Sequence, residues 1–300
     1  MNFFDGKRIG VIGLDAMHAV ALTKFINTNT LPRYAGYRVV AAYPHAGTIP
    51  EDRKERVAGY IQTVQGLGVK MVDSIGELLR QVDFVILTSN NGYVHLEQAA
   101  PVLEARKLLF IDKPIAATLE DTRAIFRLSE QYNTPVFSSS ALRFIDSLRD
   151  LKNENIGDIL GAQTFSPAST KPDLPDLLWY GIHGIEMLYA VMGTGCATVT
   201  RTATPDFDYV VGVWEDGRIG SYRGMRKGRT GFGGTVYGSR KNSVLGGFGG
   251  YEPLAAAVLD FFQTGRPPVS PRETIEMITF IMAAEESKQH NGRTIHIKNI

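Results

Sequence analysis

A short segment near the start of the chain combines a glycine, a carboxylate and a histidine in a turn that could hold a nucleotide. An apolar stretch at Arg8–Ile12 runs into residues 13–18, GLDAMH, and an apolar helical pattern follows. A strand, a tight turn and a helix in this order are typical of the site that holds a dinucleotide pyrophosphate at a helix N-terminus. Gly13 supplies the first glycine of that pattern, whereas Asp15 and His18 stand at the second and third glycine positions.

Asp15 changes what this turn can bind, and two interpretations follow. Its carboxylate adds negative charge where a pyrophosphate would approach, and two like charges about 4 Å apart repel by roughly 4 kcal/mol at an effective dielectric constant of about 20. In the first interpretation Asp15 caps the helix, and its carboxylate occupies the anion site itself. In the second, the phosphates lie further along the turn and His18 helps to hold them.

The second predicted strand ends without the acidic residue that commonly binds the ribose hydroxyls of a dinucleotide. It covers Tyr37–Ala42 and leads into Tyr43, Pro44 and His45. Tyr43 could stack on an adenine ring and His45 could meet a 2′-phosphate. Ordinary loop residues are an equally good interpretation of both.

A possible metal site and a possible anion site lie in the second half of the chain. His183 and Glu186 are three residues apart on one predicted helix, a spacing that allows metal binding, but no further ligand cluster accompanies them. We therefore expect no metal site. A basic run could recognise an anionic substrate, with a solvated loop as the alternative; its members are Arg223, Arg226, Lys227 and Arg229.

Aromatic residues near His183 could form a wall for the face of a sugar. The candidates are Trp179, Tyr180, Trp214 and Tyr222. Core packing is the alternative for each of them, and Trp179 and Tyr180 are the better candidates because they adjoin His183.

Two patterns of apolar residues divide the chain at about residue 138. Over residues 1–138 short apolar runs alternate with helical stretches, which predicts an α/β domain with a Rossmann-type, doubly wound parallel sheet for binding a dinucleotide. Its predicted strands are Arg8–Ile12, Tyr37–Ala42, Val69–Val72, Asp83–Thr88, Lys107–Ile111 and Pro135–Phe137. Over residues 139–300 strand patterns follow one another with short turns, which predicts an α+β domain with an open, mostly antiparallel sheet.

The composition excludes several classes of protein. Among 300 residues, 44% are hydrophobic and 21% charged, and the net charge is +1. These values are typical of globular domains and give no overall attraction to nucleic acid or anionic membranes. Cys196 is the single cysteine, so no intrachain disulfide can form. With no signal-like or membrane-spanning apolar run, we expect a cytoplasmic protein.

Several short motifs, in their order and spacing, resemble those of the Gfo/Idh/MocA family of oxidoreductases. The matching segments are Thr88-Ser89-Asn90 at a strand end, the downstream His95, Asp112-Lys113-Pro114 at the next strand end, Arg143-Phe144, and the helix start GIHGIE at residues 181–186. The family has Thr-Pro-Asn, Glu-Lys-Pro and Gly-x-His-x-x-Asp at the first, third and last of these. The resemblance extends over nearly the whole chain.

This resemblance implies an NAD(P)-dependent oxidoreductase acting on a sugar, polyol or sugar acid. Residues 139–300 would bind the substrate and form a homodimer or homotetramer through their sheet. His183 would transfer the proton, as a histidine can near neutral pH, and Lys113 would stabilise the developing alkoxide. The implied cofactor-binding residues are Gly13, Leu14, Asp15, Ala16, Met17, His18, Tyr43, Thr88, Ser89, Asn90, His95, Asp112 and Lys113. The implied substrate-binding residues are Lys113, Arg143, Trp179, Tyr180 and His183.

Three positions depart from the family pattern and keep other hypotheses open. They are Asp15, Tyr43 and Trp179, the last standing where the family often has an aspartate four residues before the histidine. Asp176 or Glu186 could supply the missing carboxylate. The second hypothesis is a non-redox protein that keeps the fold for small-molecule binding or regulation. A third is a lyase or glycosidase-like enzyme that uses a bound nicotinamide only transiently.

Overall fold

The computed structural model describes residues 7–299 except 46, 48 and 152, and the chain divides into two compact units. The first unit extends to Ser139 and includes Tyr251–Ser270, and the second comprises Ser140–Gly250 and the chain from Pro271 onward. Residues 251–270 follow the break predicted at residue 138, yet they pack with the first unit.

The helices and strands of both units are as follows. The strands are β1 (Arg8–Ile12), β2 (Arg38–Tyr43), β3 (Lys70–Met71), β4 (Phe84–Leu87), β5 (Leu108–Asp112), β6 (Val136–Ser139), β7 (Ile159–Pro167), β8 (Cys196–Ala203), β9 (Phe207–Trp214), β10 (Ile219–Met225), β11 (Gly233–Gly238), β12 (Asn242–Gly246) and β13 (Ile295–His296). The α-helices are α1 (Met17–Thr28), α2 (Lys54–Gly66), α3 (Ile75–Leu79), α4 (His95–Glu104), α5 (Leu119–Gln131), α6 (Asp146–Leu151), α7 (Asp176–Trp179), α8 (Ile182–Met192), α9 (Glu252–Thr264) and α10 (Pro271–Gln289).

The first unit is built on a parallel sheet of six strands in the order β3-β2-β1-β4-β5-β6. Every residue of β4 and β5 is buried, as expected of parallel strands covered on both faces. The order reverses between β1 and β4, so their carboxyl ends open a crevice at the point where such sheets bind ligands. The predicted doubly wound sheet is confirmed.

Helix α9 joins the first unit because its aromatic side chains complete that unit's core. Phe262 stacks on Phe84 of β4 with ring centroids 4.7 Å apart. Phe261 meets Phe137 of β6 edge to face at 4.9 Å. Burying four aromatic rings in one cluster stabilises the unit by area and by ring geometry.

The second unit is built on an open sheet of seven strands in the order β12-β11-β7-β10-β9-β8-β13. Its pairs are antiparallel except β7 with β10, which run parallel, so the predicted mostly antiparallel sheet is confirmed. Helices α8 and α10 cover one face. A Cβ at Gly184 would lie 2.4 Å from the Tyr222 ring, so this glycine allows α8 to approach β10 closely.

None of the helices in the described part of the chain is long and apolar enough to cross a membrane.

Candidate active site

The turn between β1 and α1 is held by hydrogen bonds from two neighbouring segments. Gly13 has a φ of +82°, and a Cβ there would lie 2.3 Å from Ser89 Oγ, so both the backbone and the space require glycine. The Gly13 amide donates to the Tyr43 carbonyl (2.9 Å), and the Leu14 amide to the Pro44 carbonyl (3.3 Å). The turn and the end of β2 therefore form one connected piece of backbone.

Asp15 is buried in this turn and does not cap α1. Its Oδ1 accepts a hydrogen bond from the Asn90 amide (2.9 Å), and its carbonyl accepts from Asn90 Nδ2 (2.6 Å). The N-cap of α1 is Ala16, which makes no side-chain capping bond. The interpretation of Asp15 as a cap is therefore wrong, because Asn90, distant in the sequence, binds its carboxylate instead. Burial raises the pKa of Asp15 above its ordinary value, although the Asn90 amide opposes the shift.

His18 and Asp112 bring the start of α1 to the end of β5. His18 Nδ1 lies 2.5 Å from Asp112 Oδ2, and the two side chains are 17% and 7% exposed. Tyr251, the residue before α9, packs against the His18 ring with centroids 4.9 Å apart. A histidine thus stands at the third glycine position of the nucleotide pattern, and its Nδ1 is bonded to the Asp112 carboxylate.

Lys113 follows Asp112 and is almost completely buried, with 9% of the residue exposed. Burial lowers the pKa of Lys113 below its ordinary value, while the negative charge of Asp112 opposes the shift. A buried lysine directly after an interior parallel strand is a chemically unusual group, because burying an ammonium is costly. Such groups occur most often at functional sites.

The segment after β4 supports the turn from beneath. Thr88 Oγ1 donates to the Gly13 carbonyl (2.6 Å), and Ser89 Oγ donates to Gln98 Oε1 (2.7 Å). His95 is fully buried, and its ring nitrogens lie 2.7 Å from the Ser89 carbonyl and 3.1 Å from the Ile115 carbonyl. Burial lowers the pKa of His95. His95 thus connects the segment after β4 to the segment after β5. Gln98, which no sequence motif marks, also binds Ser89.

The residues of the turn fit a dinucleotide phosphate. The first turn of α1 has no acidic residue and no side-chain cap, so its first backbone amides and helix dipole favour an anion. The Asp15 carboxylate is bonded to Asn90 rather than to these amides. Met17, the first residue of α1, is 55% exposed. The second interpretation, with phosphates further along the turn and His18 helping to hold them, stays a prediction, and His18 Nδ1 is bonded to Asp112.

In the second unit, His183 lies at the start of α8 with a hydroxyl at one ring nitrogen. Ser140 Oγ lies 2.6 Å from His183 Nδ1 and also accepts from the Leu142 amide at 3.1 Å. Two aromatic rings flank the imidazole, Tyr180 at 5.1 Å and Phe232 at 5.9 Å between centroids. The side chain is thus fixed on three sides, and only 7% of the residue is exposed.

Arg143 is held by two carboxylates in the interior of the second unit. Its Nε lies 2.5 Å from Glu186 Oε1, and its Nη2 lies 2.6 Å from Glu273 Oε1. The positive charge of Arg143 is thereby neutralised within the unit, and Glu186 is occupied by an ion pair. A contact between Arg143 and a substrate, as the resemblance implies, would have to share the guanidinium with both carboxylates.

Asp176 belongs to a different cluster around Arg201. Arg201 is completely buried, and its guanidinium binds Asp208, Glu285 and Asp176. Lys288 also contacts Asp176, 2.5 Å from its Oδ2. These cations lower the pKa of Asp176, although burial opposes them. Asp176 and Glu186, the two candidates for the carboxylate missing at Trp179, are thus both engaged in ion pairs with other residues.

The predicted aromatic wall is divided between core and site. Trp214 and Tyr222 are 2% and 0% exposed, so they pack in the core, and Lys171 lies over the Trp179 ring at 5.0 Å. Tyr180 does adjoin His183. Phe232 joins it, with its ring stacked on that of Tyr180 at 6.5 Å between centroids. No sequence motif marks Phe232, which lies in a glycine-rich segment.

The basic run forms structural contacts. Arg226 binds Asp208 and donates to the Pro205 and Thr204 carbonyls at 2.9 Å each. Lys227 Nζ lies 3.3 Å from Asp206 Oδ2, and Arg223 lies over the Phe207 ring at 5.0 Å. Within the described part of the chain, no group of three or more histidine, cysteine or acidic side chains could hold a metal ion.

The fold and these residues define a class: a two-unit α/β protein whose first unit has a Rossmann-type parallel sheet, with a buried lysine directly after β5. Residues 7–139 match the model of the GFO_IDH_MocA oxidoreductase family, described as an NAD-binding Rossmann fold. The family resemblance stated from the sequence motifs is confirmed over these residues.

The chain is also similar to individual proteins. An uncharacterized oxidoreductase of Streptococcus pneumoniae is 26% identical over 154 residues, which cover 45% of this chain and 41% of that protein. The apo scyllo-inositol dehydrogenase of Lactobacillus casei superposes with a TM-score of 0.78 at 16% identity, covering 98% of this chain and 99% of that one.

Two further structures share the fold across both units. A structure of the Lactobacillus casei enzyme with NAD(H) and scyllo-inositol bound has a TM-score of 0.74 at 17% identity, and it covers 98% of this chain and 100% of that one. An oxidoreductase of Thermotoga maritima has a TM-score of 0.72 at 18% identity, with 98% and 99% covered.

Proposed function

We propose that the protein is an NAD(P)-dependent oxidoreductase that acts on a hydroxyl group of a cyclic polyol or related sugar. The observation that carries the proposal is Lys113, a buried lysine of lowered pKa that directly follows β5, an interior strand of a Rossmann-type sheet. The match of residues 7–139 to an oxidoreductase family supports it.

Lys113 would polarise the substrate oxygen. Its ammonium donates a hydrogen bond to the oxygen that becomes an alkoxide as hydride leaves the adjacent carbon, and this bond is stronger in the transition state than in the ground state. Burial strengthens the interaction, because few water dipoles screen it. Asp112, itself bound to His18, keeps a negative charge beside Lys113 and favours the charged amine.

His183 would move the proton. When Nδ1–H donates to Ser140 Oγ, Nε2 is the nitrogen that accepts a proton from the substrate hydroxyl. The Leu142 amide, bonded to the same Ser140 oxygen, holds that partner in place. A base with a fixed ring contributes roughly 10²–10⁴-fold to a proton transfer of this kind.

The turn at residues 13–18 would hold the pyrophosphate of the cofactor through the first amides of α1, with Tyr43 beside the adenosine. Thr88, Ser89 and Asn90 would hold that turn in place through their hydrogen bonds, without contacting the phosphates themselves. The nicotinamide, when bound, exchanges hydride with the substrate carbon.

The rings around His183 favour a cyclic substrate. Tyr180 and Phe232 present aromatic faces and edges beside the imidazole, and such rings pack on the C–H face of a sugar or cyclitol. A relative of the same fold was solved with scyllo-inositol bound, which supports a polyol as the first substrate to test.

Binding and turnover test this proposal in two steps. Calorimetric titration with NADH and NADPH should give binding in the micromolar range, about 8 kcal/mol. Hydride transfer is then followed by nicotinamide absorbance with inositols, sugars and sugar acids. Lys113→Ala and His183→Ala should each lower kcat by roughly 10²-fold or more, whereas Lys24→Ala, which removes an exposed lysine from α1, should not. Unchanged turnover in the Lys113 variant would contradict the role of this residue.

One observation favours the non-redox alternative. Asp176 and Glu186 are both engaged in ion pairs with other residues, so neither is available to replace the aspartate that the family often has four residues before the histidine. A binding protein of this fold would bind the polyol in calorimetry yet leave NADH and NADPH unoxidised with every substrate tried.

We further propose that the chain forms a homo-oligomer through the uncovered face of its second sheet. Five large apolar side chains are exposed on that face: Tyr209, Val213, Ile219, Tyr237 and Val244. Exposed apolar patches of this kind commonly mark interfaces.

A further inference from the structure

The segment after β2 lacks the group that selects NAD(H). In Rossmann folds a carboxylate near the end of this strand binds the ribose 2′-hydroxyl, and it would repel a 2′-phosphate. Here the sequence from Tyr43 to Pro50 contains no acidic residue. The next one, Glu51, has its carboxylate 2.6 Å from Lys54 Nζ in an exposed ion pair.

An arginine that precedes α2 contacts the turn at residues 13–18. Arg53 precedes α2, and its Nη2 donates a hydrogen bond of 3.0 Å to the Asp15 carbonyl. This contact links the guanidinium to the β1–α1 turn, although the two residues are 38 positions apart in the sequence. Arg53 is half-buried, whereas its charged neighbours on both sides, Asp52 and Lys54, are exposed.

The turn that Arg53 contacts is bonded to the end of β2. The Gly13 and Leu14 amides donate to the Tyr43 and Pro44 carbonyls. A cation bound to the Asp15 carbonyl therefore lies at the corner between the turn, which would hold the pyrophosphate, and the strand end, where the adenosine ribose would lie.

His45 adds a second polar ring at the same strand end. Its ring centroid lies 6.0 Å from that of Tyr43, and its carbonyl accepts a hydrogen bond from Gln98 Nε2 at 3.2 Å. The backbone of His45 is thus fixed beside an aromatic ring, in the segment where a carboxylate would otherwise stand.

We propose that the protein binds NADP(H) in preference to NAD(H), and that Arg53 is the specificity-determining residue, through charge-assisted hydrogen bonds to the 2′-phosphate. This inference rests on the proposed function. A guanidinium has five N–H donors, and the bond to Asp15 uses one of them. The planar fork matches two phosphate oxygens at once, which a 2′-hydroxyl cannot provide.

Calorimetric titration of the full chain with NADPH, NADH, 2′,5′-ADP and 5′-AMP tests the proposal. The wild type should bind NADPH roughly tenfold or more tightly than NADH, and 2′,5′-ADP more tightly than 5′-AMP. Arg53→Ala should lose this preference while its affinity for NADH changes by less than about twofold. Arg56→Ala is the matched control, because it removes the same charge from an exposed position on α2, and it should keep the preference.

Two further measurements separate charge from structure. Arg53→Lys keeps the charge without the fork, so it should retain part of the preference. Raising the salt concentration from about 50 to 300 mM should weaken wild-type binding of NADPH more than that of NADH, since screening acts on the extra phosphate charge. An unchanged NADH affinity in Arg53→Ala verifies that the turn is intact.

The outcomes distinguish this inference from the proposed function. Equal wild-type affinity for NADPH and NADH, or an equal loss of both in Arg53→Ala, overturns the role of Arg53 and leaves the proposed function standing. Binding of neither dinucleotide to a folded wild-type protein overturns both.

Discussion

Buried charge is a feature of the turn at residues 13–18. Asp15 has a raised pKa because burial disfavours its charged form, while the Asn90 amide supports that form. A carboxyl whose pKa is higher in the folded than in the unfolded protein makes the native state bind more protons. Stability then falls as pH rises through the interval between the two pKa values.

Replacing Asp15 with asparagine should remove this pH-dependent cost. Asp15→Asn keeps an oxygen for the Asn90 amide but does not titrate. The free energy of unfolding of the variant, minus that of the wild type, should therefore increase as pH rises from about 4 to 7. Urea unfolding at both pH values measures the difference. Asp52→Asn, at an exposed position, should show no such trend, and a wild-type-to-variant difference that is constant with pH would contradict the expectation.

Some residues of the proposed site could be predicted from the sequence and others could not. Lys113 and His183 stand in short motifs that are visible without any knowledge of long-range contacts. Asp15 was ambiguous because aspartate favours caps locally, whereas its actual partner Asn90 is 75 positions away in the sequence. Arg53 and Phe232 were missed for the same reason, since a contact with Asp15 or His183 depends on loop conformation rather than on any local pattern.

At the level of helices and strands, hydrophobic periodicity located most elements and did not determine their partners. The predicted bounds of β1 agree with the structure residue for residue. The parallel pairing of β7 with β10 was not predicted, because short turns between successive strands favour antiparallel neighbours. Nor does periodicity show that α9 packs in the first unit, since its apolar face would suit either sheet.

Two glycines in helices should respond in opposite directions to alanine. At Gly184 a Cβ would lie 2.4 Å from the Tyr222 ring, so Gly184→Ala should destabilise the protein by about 1–3 kcal/mol through overpacking. At Gly59 in α2 a Cβ would meet nothing within 4 Å, so Gly59→Ala should stabilise by about 0.5–1 kcal/mol through helix propensity.

Denaturant unfolding of the two glycine variants checks both signs in one experiment. Each variant changes the same atoms within an α-helix, so the difference reports the surroundings rather than the substitution itself. A stable Gly184→Ala protein would mean that α8 does not pack closely on β10. A destabilised Gly59→Ala protein would mean that the exposed face of α2 is covered in solution.

For the molecule as a whole, the two faces of the second sheet differ: helices α8 and α10 pack on one, and the other exposes the five apolar side chains of the proposed interface. Register decides which residues share each face: Ile219 lies opposite Val213 and Gly161 in its two neighbouring strands, so its side chain shares a face with Val213. Leu160, one residue before Gly161, points to the other face. Both Ile219 and Leu160 are 56% exposed, so exposure alone does not separate them.

Charge on the uncovered face should therefore dissociate the proposed homo-oligomer, whereas the same charge on the other face should not. Sedimentation of the wild type at micromolar concentration should give at least twice the mass of one chain, because association would remove the exposed apolar side chains from water. Ile219→Lys should shift the protein to a single chain, because burying an unpaired ammonium at an interface is unfavourable. Leu160→Lys is the matched control and should sediment like the wild type. Dissociation of both variants, or a wild type that is already a single chain, would rule out this face as the interface.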